Sequence, residues 1–130
     1  MKILALRTDK PEAELYVYRD GKKLAELKWP AHLKLAETLN AKIDEILNKS
    51  SISYGELDGL AVYKGPGSFT GLRIGLSTAN ALAYGLDLPV AAASGGDWLQ
   101  TAIQALASGQ TDQVALPDYG AAPHITKPKK

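Results

Sequence analysis

The residues most suited to chemistry in this chain form one glycine-rich run, GPGSFTGLRIG, at residues 65–75. An apolar segment typical of a strand (residues 60–63) precedes it, and a segment of small residues with helical spacing follows it. Glycines permit positive φ angles and close approach of neighbouring groups. A strand, a glycine loop and a helix in this order often present backbone N–H groups to an anion. One interpretation of the run is therefore a phosphate-binding loop.

The spacing of the glycines differs from the two common phosphate-binding motifs. A P-loop has a lysine and a serine or threonine after its last glycine, whereas Leu72 and Arg73 follow Gly71 here. The Rossmann fingerprint also fails, because Gly65, Gly67 and Gly71 give the pattern G-x-G-x-x-x-G. A tight strand-to-helix turn is the alternative interpretation of the loop, and it requires no ligand.

In that structural alternative, Ser68 or Thr70 caps the helix that begins in the loop. Neither hydroxyl has a histidine or another base close by in the sequence, so the pattern does not indicate a nucleophile. The residues considered for either role of the loop are Gly65, Pro66, Gly67, Ser68, Phe69, Thr70, Gly71 and Arg73.

The helix after the loop carries a stripe of small residues at every fourth position: Gly71, Gly75, Ala79 and Ala83. Small residues allow another element to approach the backbone closely. Two interpretations are open: the stripe packs on the protein's own sheet, or it packs against a helix of a second chain. Leu72, Leu76 and Leu86 add apolar surface on neighbouring faces, so one helix could serve both purposes.

Other catalytic or metal-binding patterns are poor. The chain has no cysteine, and its two histidines, His32 and His124, lack a second ligand at helical spacing. Arg7 and Asp9 lie where the first strand meets a turn, and we interpret them as an exposed turn pair. The basic end at residues 127–130 is interpreted as a solvated tail. The sequence therefore indicates no catalytic residues and no metal site.

Length and composition are those of one soluble domain. The 130 residues are 45% hydrophobic and 22% charged, with a formal net charge of +1. So small a net charge gives no global attraction to nucleic acid or to a membrane surface. No stretch of the sequence approaches the length of a membrane span. We expect a cytoplasmic protein that does not contact a membrane.

Hydrophobic periodicity predicts the element order β-β-β-α-β-α-β-α. The predicted strands cover residues 3–8, 13–19, 23–29, 57–63 and 88–92, and the predicted helices cover residues 30–47, 70–84 and 94–108. Asp20-Gly21 is a strong hairpin signal between the second and third strands. This order is that of an α/β fold, a single ribonuclease-H-like lobe, which we place at residues 1–109. Residues 110–130 are predicted to form a C-terminal tail without a core of its own.

Three segments resemble the TsaB family, also called YeaZ: Ile3–Leu6, Asp58–Tyr63, and the GPGSFTGLRIG run with Ser77-Thr78-Ala79. The glycine-rich string is highly specific to that family, and the resemblance extends over about residues 1–108. It implies the fold of one lobe of the actin-like ATPase superfamily. It also implies an accessory subunit, without catalysis of its own, of the machinery that makes threonylcarbamoyladenosine in tRNA.

The resemblance further implies partners and a docking surface. The catalytic paralogue TsaD is the expected partner, the ATPase TsaE joins the pair, and a homodimer through the same helices is an alternative. The tRNA is contacted only indirectly, and ATP and metal are expected only in the partner subunits, with no cofactor in this chain. The residues expected to bind the partner are His32, Leu35, Leu39, Ile43, Gly71, Leu72, Gly75, Leu76, Ala79 and Ala83.

One departure from the family pattern concerns nucleotide binding. The family's first strand reads I-L-A-I-D-T-S, whereas Arg7 stands in place of the aspartate and Asp9 in place of the serine. Because an actin-like fold uses an aspartate there near metal and phosphate, Arg7 argues against a working nucleotide site. A second function nevertheless stays open: a small nucleotide-binding domain that uses the loop Gly65–Gly71.

The other departure is length. Only about twenty residues follow the third predicted helix, at the point where the family's second lobe is expected. Pro117-Asp118-Tyr119 and the lysine-rich end resemble the family's own closing segment, a P-x-Y pattern followed by a basic tail. We therefore expect that the second lobe has been lost internally and that the C-terminal tail has been kept.

Overall fold

Five strands form one mixed sheet in the computed structural model, which describes residues 1–112 and 114–118. The strands are β1 (Lys2–Arg7), β2 (Glu12–Arg19), β3 (Lys22–Pro30), β4 (Gly59–Tyr63) and β5 (Val90–Ala93). The helices are α1 (Leu35–Lys49), α2 (Phe69–Leu86) and α3 (Trp98–Ser108), and short 3₁₀ turns cover His32–Lys34 and Tyr54–Glu56. The predicted order β-β-β-α-β-α-β-α is confirmed.

The strands lie in the order β3-β2-β1-β4-β5. β2 pairs antiparallel with both β1 and β3, and the hairpin to β3 turns at Asp20 and Gly21, whose φ angles are 52° and 82°. β4 pairs parallel with β1 and with β5. The carboxyl ends of β1, β4 and β5 therefore meet at one end of the sheet, and the glycine loop leaves the sheet there.

Side-chain alternation along the strands assigns the two faces of the sheet. Ala13 of β2 pairs with Trp29 of β3, and the indole N–H of Trp29 donates to Thr38 of α1 at 3.0 Å. The face of the sheet that carries Ala13 and Trp29 is covered by α1 and, beside it, by α2. On the opposite face Leu106 of α3 packs against Gly59 of β4. The hydrophobic core thus has a helical layer on both sides of the sheet.

Two predicted helix starts are wrong. The first helix, predicted from Pro30, begins at Leu35, because Pro30 is the last residue of β3 and pairs with Glu12. The third helix, predicted from residue 94, begins at Trp98 after a turn in which Gly95 has a φ of +90°.

The predicted C-terminal tail is described only in part. Asp112, Ala115 and Asp118 form hydrogen bonds with the lobe, whereas Tyr119, His124 and the basic end at residues 127–130 lie outside the described residues. The division of the chain at residue 109 stays a prediction. Within residues 1–112 and 114–118, no helix is long and apolar enough to cross a membrane.

Candidate functional site

The glycine loop (residues 65–71) connects β4 to α2 at the carboxyl end of the sheet. Gly65 has a φ of +120°, and Gly67 lies so close to Asp9 that a β-carbon there would stand 2.9 Å from Asp9 Cγ. The Tyr63 hydroxyl donates to the carbonyl oxygen of Pro66 at 2.7 Å. Both glycines are thus required by contacts within the chain, which favours the structural interpretation of the loop.

Ser68 occupies the N-cap position of α2, but its hydroxyl makes no capping hydrogen bond. Thr70 is already the second residue of the helix. The prediction that one of these hydroxyls caps α2 is therefore wrong for Ser68, and Thr70 lies too far into the helix for that position. Both side chains instead line a cavity of about 450 Å³ at the start of α2, together with Lys10.

Arg7 and Asp9 form a partly buried ion pair at the carboxyl end of β1. Arg7 Nε donates to Asp9 Oδ1 at 2.8 Å, and the two side chains keep only 20% and 6% of their accessible surface. The Arg7 guanidinium also lies 3.8 Å from the centre of the Tyr63 ring. The interpretation as an exposed turn pair is wrong, because the Asp9 side chain packs inward against Gly67 and the Arg7 guanidinium is hydrogen-bonded to Asp9.

A second buried carboxylate lies on the neighbouring strand. Glu14 accepts a hydrogen bond from the Tyr16 hydroxyl at 2.7 Å and pairs with Lys10 Nζ at 2.6 Å. Burial raises the pKa of Glu14, but hydrogen bonds from Lys10 and Tyr16 and the charge of Arg7 outweigh burial and lower that pKa. Burial lowers the pKa of Arg7, but the hydrogen bond to Asp9 and the nearby negative charge outweigh burial and raise that pKa. Each of these ionised groups is thus satisfied within the chain.

The small-residue stripe of α2 packs on the protein's own β1–β2 turn. The Thr8 carbonyl lies against Gly71 and the Thr8 hydroxyl lies against Gly75, so a β-carbon at either glycine would collide with Thr8. Thr8 is only 2% exposed, and its hydroxyl donates to the Gly71 carbonyl at 2.8 Å. Ala79, one turn after Gly75, is fully buried. Of the two interpretations of the stripe, packing on the protein's own sheet is therefore the one observed.

Most of the expected partner-binding residues are buried within the lobe. Those that lie in the interior of the chain are Leu35, Leu39, Ile43, Gly71, Leu72, Gly75, Leu76 and Ala79. They are covered by the chain itself, because apolar and small residues at helical spacing mark the face that a helix turns to its own core. Ala83 is half-buried, so its contact with a partner stays a prediction. The side chain of His32 lies outside the described residues.

An exposed apolar groove, which no sequence pattern predicted, runs between the start of α1 and the outer side of α2. Leu33 is 100% exposed and Phe69 is 54% exposed. Ile74, half-buried, lines two neighbouring cavities of about 450 and 350 Å³. The Arg73 guanidinium lies 5.2 Å from the centre of the Phe69 ring. We name the surface formed by Leu33, Phe69, Arg73 and Ile74 the α1–α2 groove.

The acidic and phenolic side chains near the glycine loop are engaged within the chain. Within residues 1–112 and 114–118, no group of three or more His, Asp or Glu side chains is placed to hold a metal ion. The carboxylates of Asp9 and Glu14 are paired with basic side chains, and the Tyr63 hydroxyl is used within the loop. The α1–α2 groove, by contrast, exposes the apolar side chains of Leu33 and Phe69.

Comparisons with known proteins agree with this geometry. The family model of tRNA N6-adenosine threonylcarbamoyltransferase, TsaD, matches residues 30–117, which include the glycine loop and α2. The tRNA threonylcarbamoyladenosine biosynthesis protein TsaB of Haemophilus influenzae is 39% identical over 92 residues, which are 69% of this chain and 38% of that protein. The chain belongs to the TsaB/YeaZ family. The family resemblance expected from the glycine-rich string is thus confirmed.

Solved structures support the TsaB/YeaZ assignment and the fold. YeaZ from Pseudomonas aeruginosa matches with a TM-score of 0.67 and 27% identity, over 72% of this chain and 43% of that chain. RuvC from Thermus thermophilus, at 12% identity, matches with a TM-score of 0.54 over 92% of this chain and 85% of that chain. The RuvC match shows the fold alone, and it confirms the ribonuclease-H-like lobe. The chain spans about two fifths of the length of the TsaB relative, 38%.

Proposed function

We propose that this chain is an accessory subunit in the biosynthesis of threonylcarbamoyladenosine in tRNA, and that it acts by docking onto a TsaD-type catalytic subunit. The observation that carries the proposal is the 39% identity to a TsaB protein, whose name places it in this biosynthesis. The match to the TsaD model over residues 30–117 supports a partner of related fold. Related lobes commonly pair through equivalent surfaces, as two-fold assemblies do.

The charged side chains at the carboxyl end of β1 support a role in which this chain does not itself catalyse a reaction. Arg7 pairs with Asp9 and lies over the Tyr63 ring. The Asp9 carboxylate is therefore engaged by Arg7 and not offered to a metal, and the Arg7 guanidinium is not available to a substrate. Asp9 in turn fills the space beside Gly67. We propose that ATP and metal are used by the partner subunits, TsaD and TsaE, and not by this chain.

The α1–α2 groove is the surface that we assign to the partner. Leu33 and Phe69 expose large apolar side chains on either side of it, and exposed apolar surface next to concavities is typical of protein-binding sites. The interior positions of both helices are already used in the core, which supports assigning the partner contacts to this outer side. Arg73 at the edge supplies a charge that can set the orientation of the partner.

The proposed mechanism is a shift of the partner's conformational equilibrium. A protein that binds the active arrangement of a catalytic subunit more tightly than its other arrangements increases the population of the active one. The chain then needs only a rigid, correctly shaped surface, which the buried contacts of α1 and α2 with the sheet supply. In this proposal tRNA is contacted only indirectly, through the assembled complex.

Nucleotide binding is the second candidate, and one feature favours it. The cavity of about 450 Å³ at the start of α2 is lined by Lys10, Ser68 and Thr70, which are residues able to contact a phosphate. Asp9 lines the same cavity, and its carboxylate would repel a phosphate there. We expect no heat when Mg-ATP is titrated into the chain in a calorimeter. Micromolar binding in that titration would place this function first.

Size-exclusion chromatography with light scattering tests the docking proposal. The chain is run alone, then with TsaD from the same source organism, and the mass of each peak is measured. We expect a complex that contains one copy of each chain. As a control, another TsaB–TsaD pair is run at the same concentrations. Separate elution of this chain and TsaD under conditions where the control pair co-elutes would contradict the proposal. The run of the chain alone also reports whether it forms the homodimer.

A further inference from the structure

The last described residues of the chain run back across the lobe. We name residues 112 and 114–118 the C-terminal strap. At its start, the Asp112 N–H donates to the Val90 carbonyl at 2.8 Å, and Asp112 Oδ2 accepts from the Ala92 N–H at 2.8 Å. Asp112 thus pairs with the outer edge of β5 through both its backbone and its side chain.

In the middle, the strap is bonded to α2 by one side chain. Asn80 Nδ2 donates to the Ala115 carbonyl at 3.0 Å, and Asn80 Oδ1 accepts from the Ala115 N–H at 2.8 Å. Ala115 itself is only 2% exposed. A side-chain amide that satisfies both backbone groups of one residue replaces the pairing that a neighbouring strand would give. The contact therefore fixes both the position and the direction of the strap.

At its end, the strap reaches the glycine loop. The Asp118 N–H donates to the Lys64 carbonyl at 2.6 Å. The Asp118 carbonyl lies against Gly65, so closely that a β-carbon at Gly65 would stand 3.0 Å from the Asp118 carbonyl carbon and nearer still to its oxygen. Gly65 also has a φ of +120°. The first glycine of the loop is thus shaped by a residue more than fifty positions further along the chain.

The rest of the loop lies at the surface of the lobe. Residues 66–70 are exposed, and their contacts within the chain include the Tyr63 hydroxyl on Pro66 and the Asp9 side chain on Gly67. A segment with few buried contacts opens locally at low free energy unless specific contacts hold it. Since the loop leads directly into the first turn of α2, any change in the loop reaches Phe69.

We propose that the C-terminal strap sets the conformation of the glycine loop, and through it the position of the first turn of α2. The strap is attached to β5 and α2, which are parts of the rigid lobe, and it presses on the loop at Gly65. It acts as a conformational device: when the strap is seated the loop is ordered, and when the strap is released the loop opens. The proposal concerns this chain alone, and it stands whether or not the chain docks onto TsaD.

Hydrogen–deuterium exchange of the full chain tests the proposal, with Asn80→Ala as the variant that releases the strap. Asn48→Ala is the matched control, since it makes the same change at an exposed position near the end of α1. Ala115→Glu is a second variant, because a charge at this buried position must leave the lobe. Amide exchange is followed in peptides that cover residues 64–71 and in those that cover residues 114–118.

We expect at least about fivefold faster exchange in both segments in Asn80→Ala and in Ala115→Glu, with β1 and β4 unchanged and Asn48→Ala like the wild type. Faster exchange in residues 114–118 with no change in residues 64–71 would overturn the proposal, since the strap would then be a passive cover. Unchanged exchange in residues 64–71 in both variants would overturn it equally.

Discussion

Asp9 packs directly onto Gly67: its Cγ lies 2.9 Å from the place where a β-carbon would stand, and its Cβ and Oδ2 lie nearer still. The same carboxylate accepts from Arg7 Nε at 2.8 Å. The need for a glycine at residue 67, the second glycine of the family motif, is thus explained by the packing of the Asp9 side chain. A phosphate is not needed to account for the absence of a side chain at that position.

The contact predicts the effect of a single methyl group. Gly67→Ala should lower the free energy of unfolding by about 1–3 kcal/mol, because Asp9 and with it Arg7 must move. Gly85→Ala is the control: nothing lies within 4 Å of a β-carbon there, and alanine in a helix should raise stability by up to about 1 kcal/mol. Urea denaturation measures both. Equal stabilities of the two variants would show that Asp9 does not confine Gly67.

Thr8 and Gly75 should show energetic coupling. Gly75→Ala places a methyl group against the Thr8 hydroxyl and should cost about 1–3 kcal/mol. In the Thr8→Ala background the same methyl group should cost at least about 1 kcal/mol less, because the hydroxyl is gone. A double-mutant cycle by denaturation gives this difference. Simple additivity of the two substitutions would contradict the packing of α2 on Thr8.

Glu14 should make the protein sensitive to acid. Its pKa in the folded chain is lowered from 4.5, so its ionisation stabilises the fold above that pH, and the stabilisation is lost as pH falls through the lower, folded value. Glu14→Gln should therefore flatten the loss of stability below pH 4.5. Glu12→Gln, at an exposed position of the same strand, is the control. An unchanged acid slope in Glu14→Gln would show that the pairing with Lys10 contributes nothing.

Local sequence signals were sufficient for most of the fold. Asp20-Gly21 predicts the hairpin because two positive φ angles are needed there, and few other residue pairs supply them. The spacing of Leu35, Leu39 and Ile43 predicts a helix. These signals depend only on neighbours along the chain, so they need no knowledge of the tertiary structure.

The candidate site was harder to predict, because it depends on contacts between distant segments. Asp9 packs against Gly67 and pairs with Arg7, and the shape of Gly65 is set by Asp118. Helical spacing identified the core face of α1 and α2, but it did not indicate the α1–α2 groove. Leu33 shares the helical spacing of the apolar residues of α1 but is 100% exposed, and Phe69 belongs to the glycine-rich run and is 54% exposed, so spacing alone does not reveal this surface.

The most direct test of the account is the affinity of the chain for TsaD when the α1–α2 groove is altered. Leu33→Asp combined with Phe69→Asp changes two exposed side chains, so it should leave stability nearly unchanged. Tyr84→Asp, at a 92% exposed position near the other end of α2, is the matched control. Isothermal titration calorimetry should give at least about tenfold weaker binding for the double variant and wild-type binding for the control. Wild-type affinity in the double variant would contradict docking through this groove.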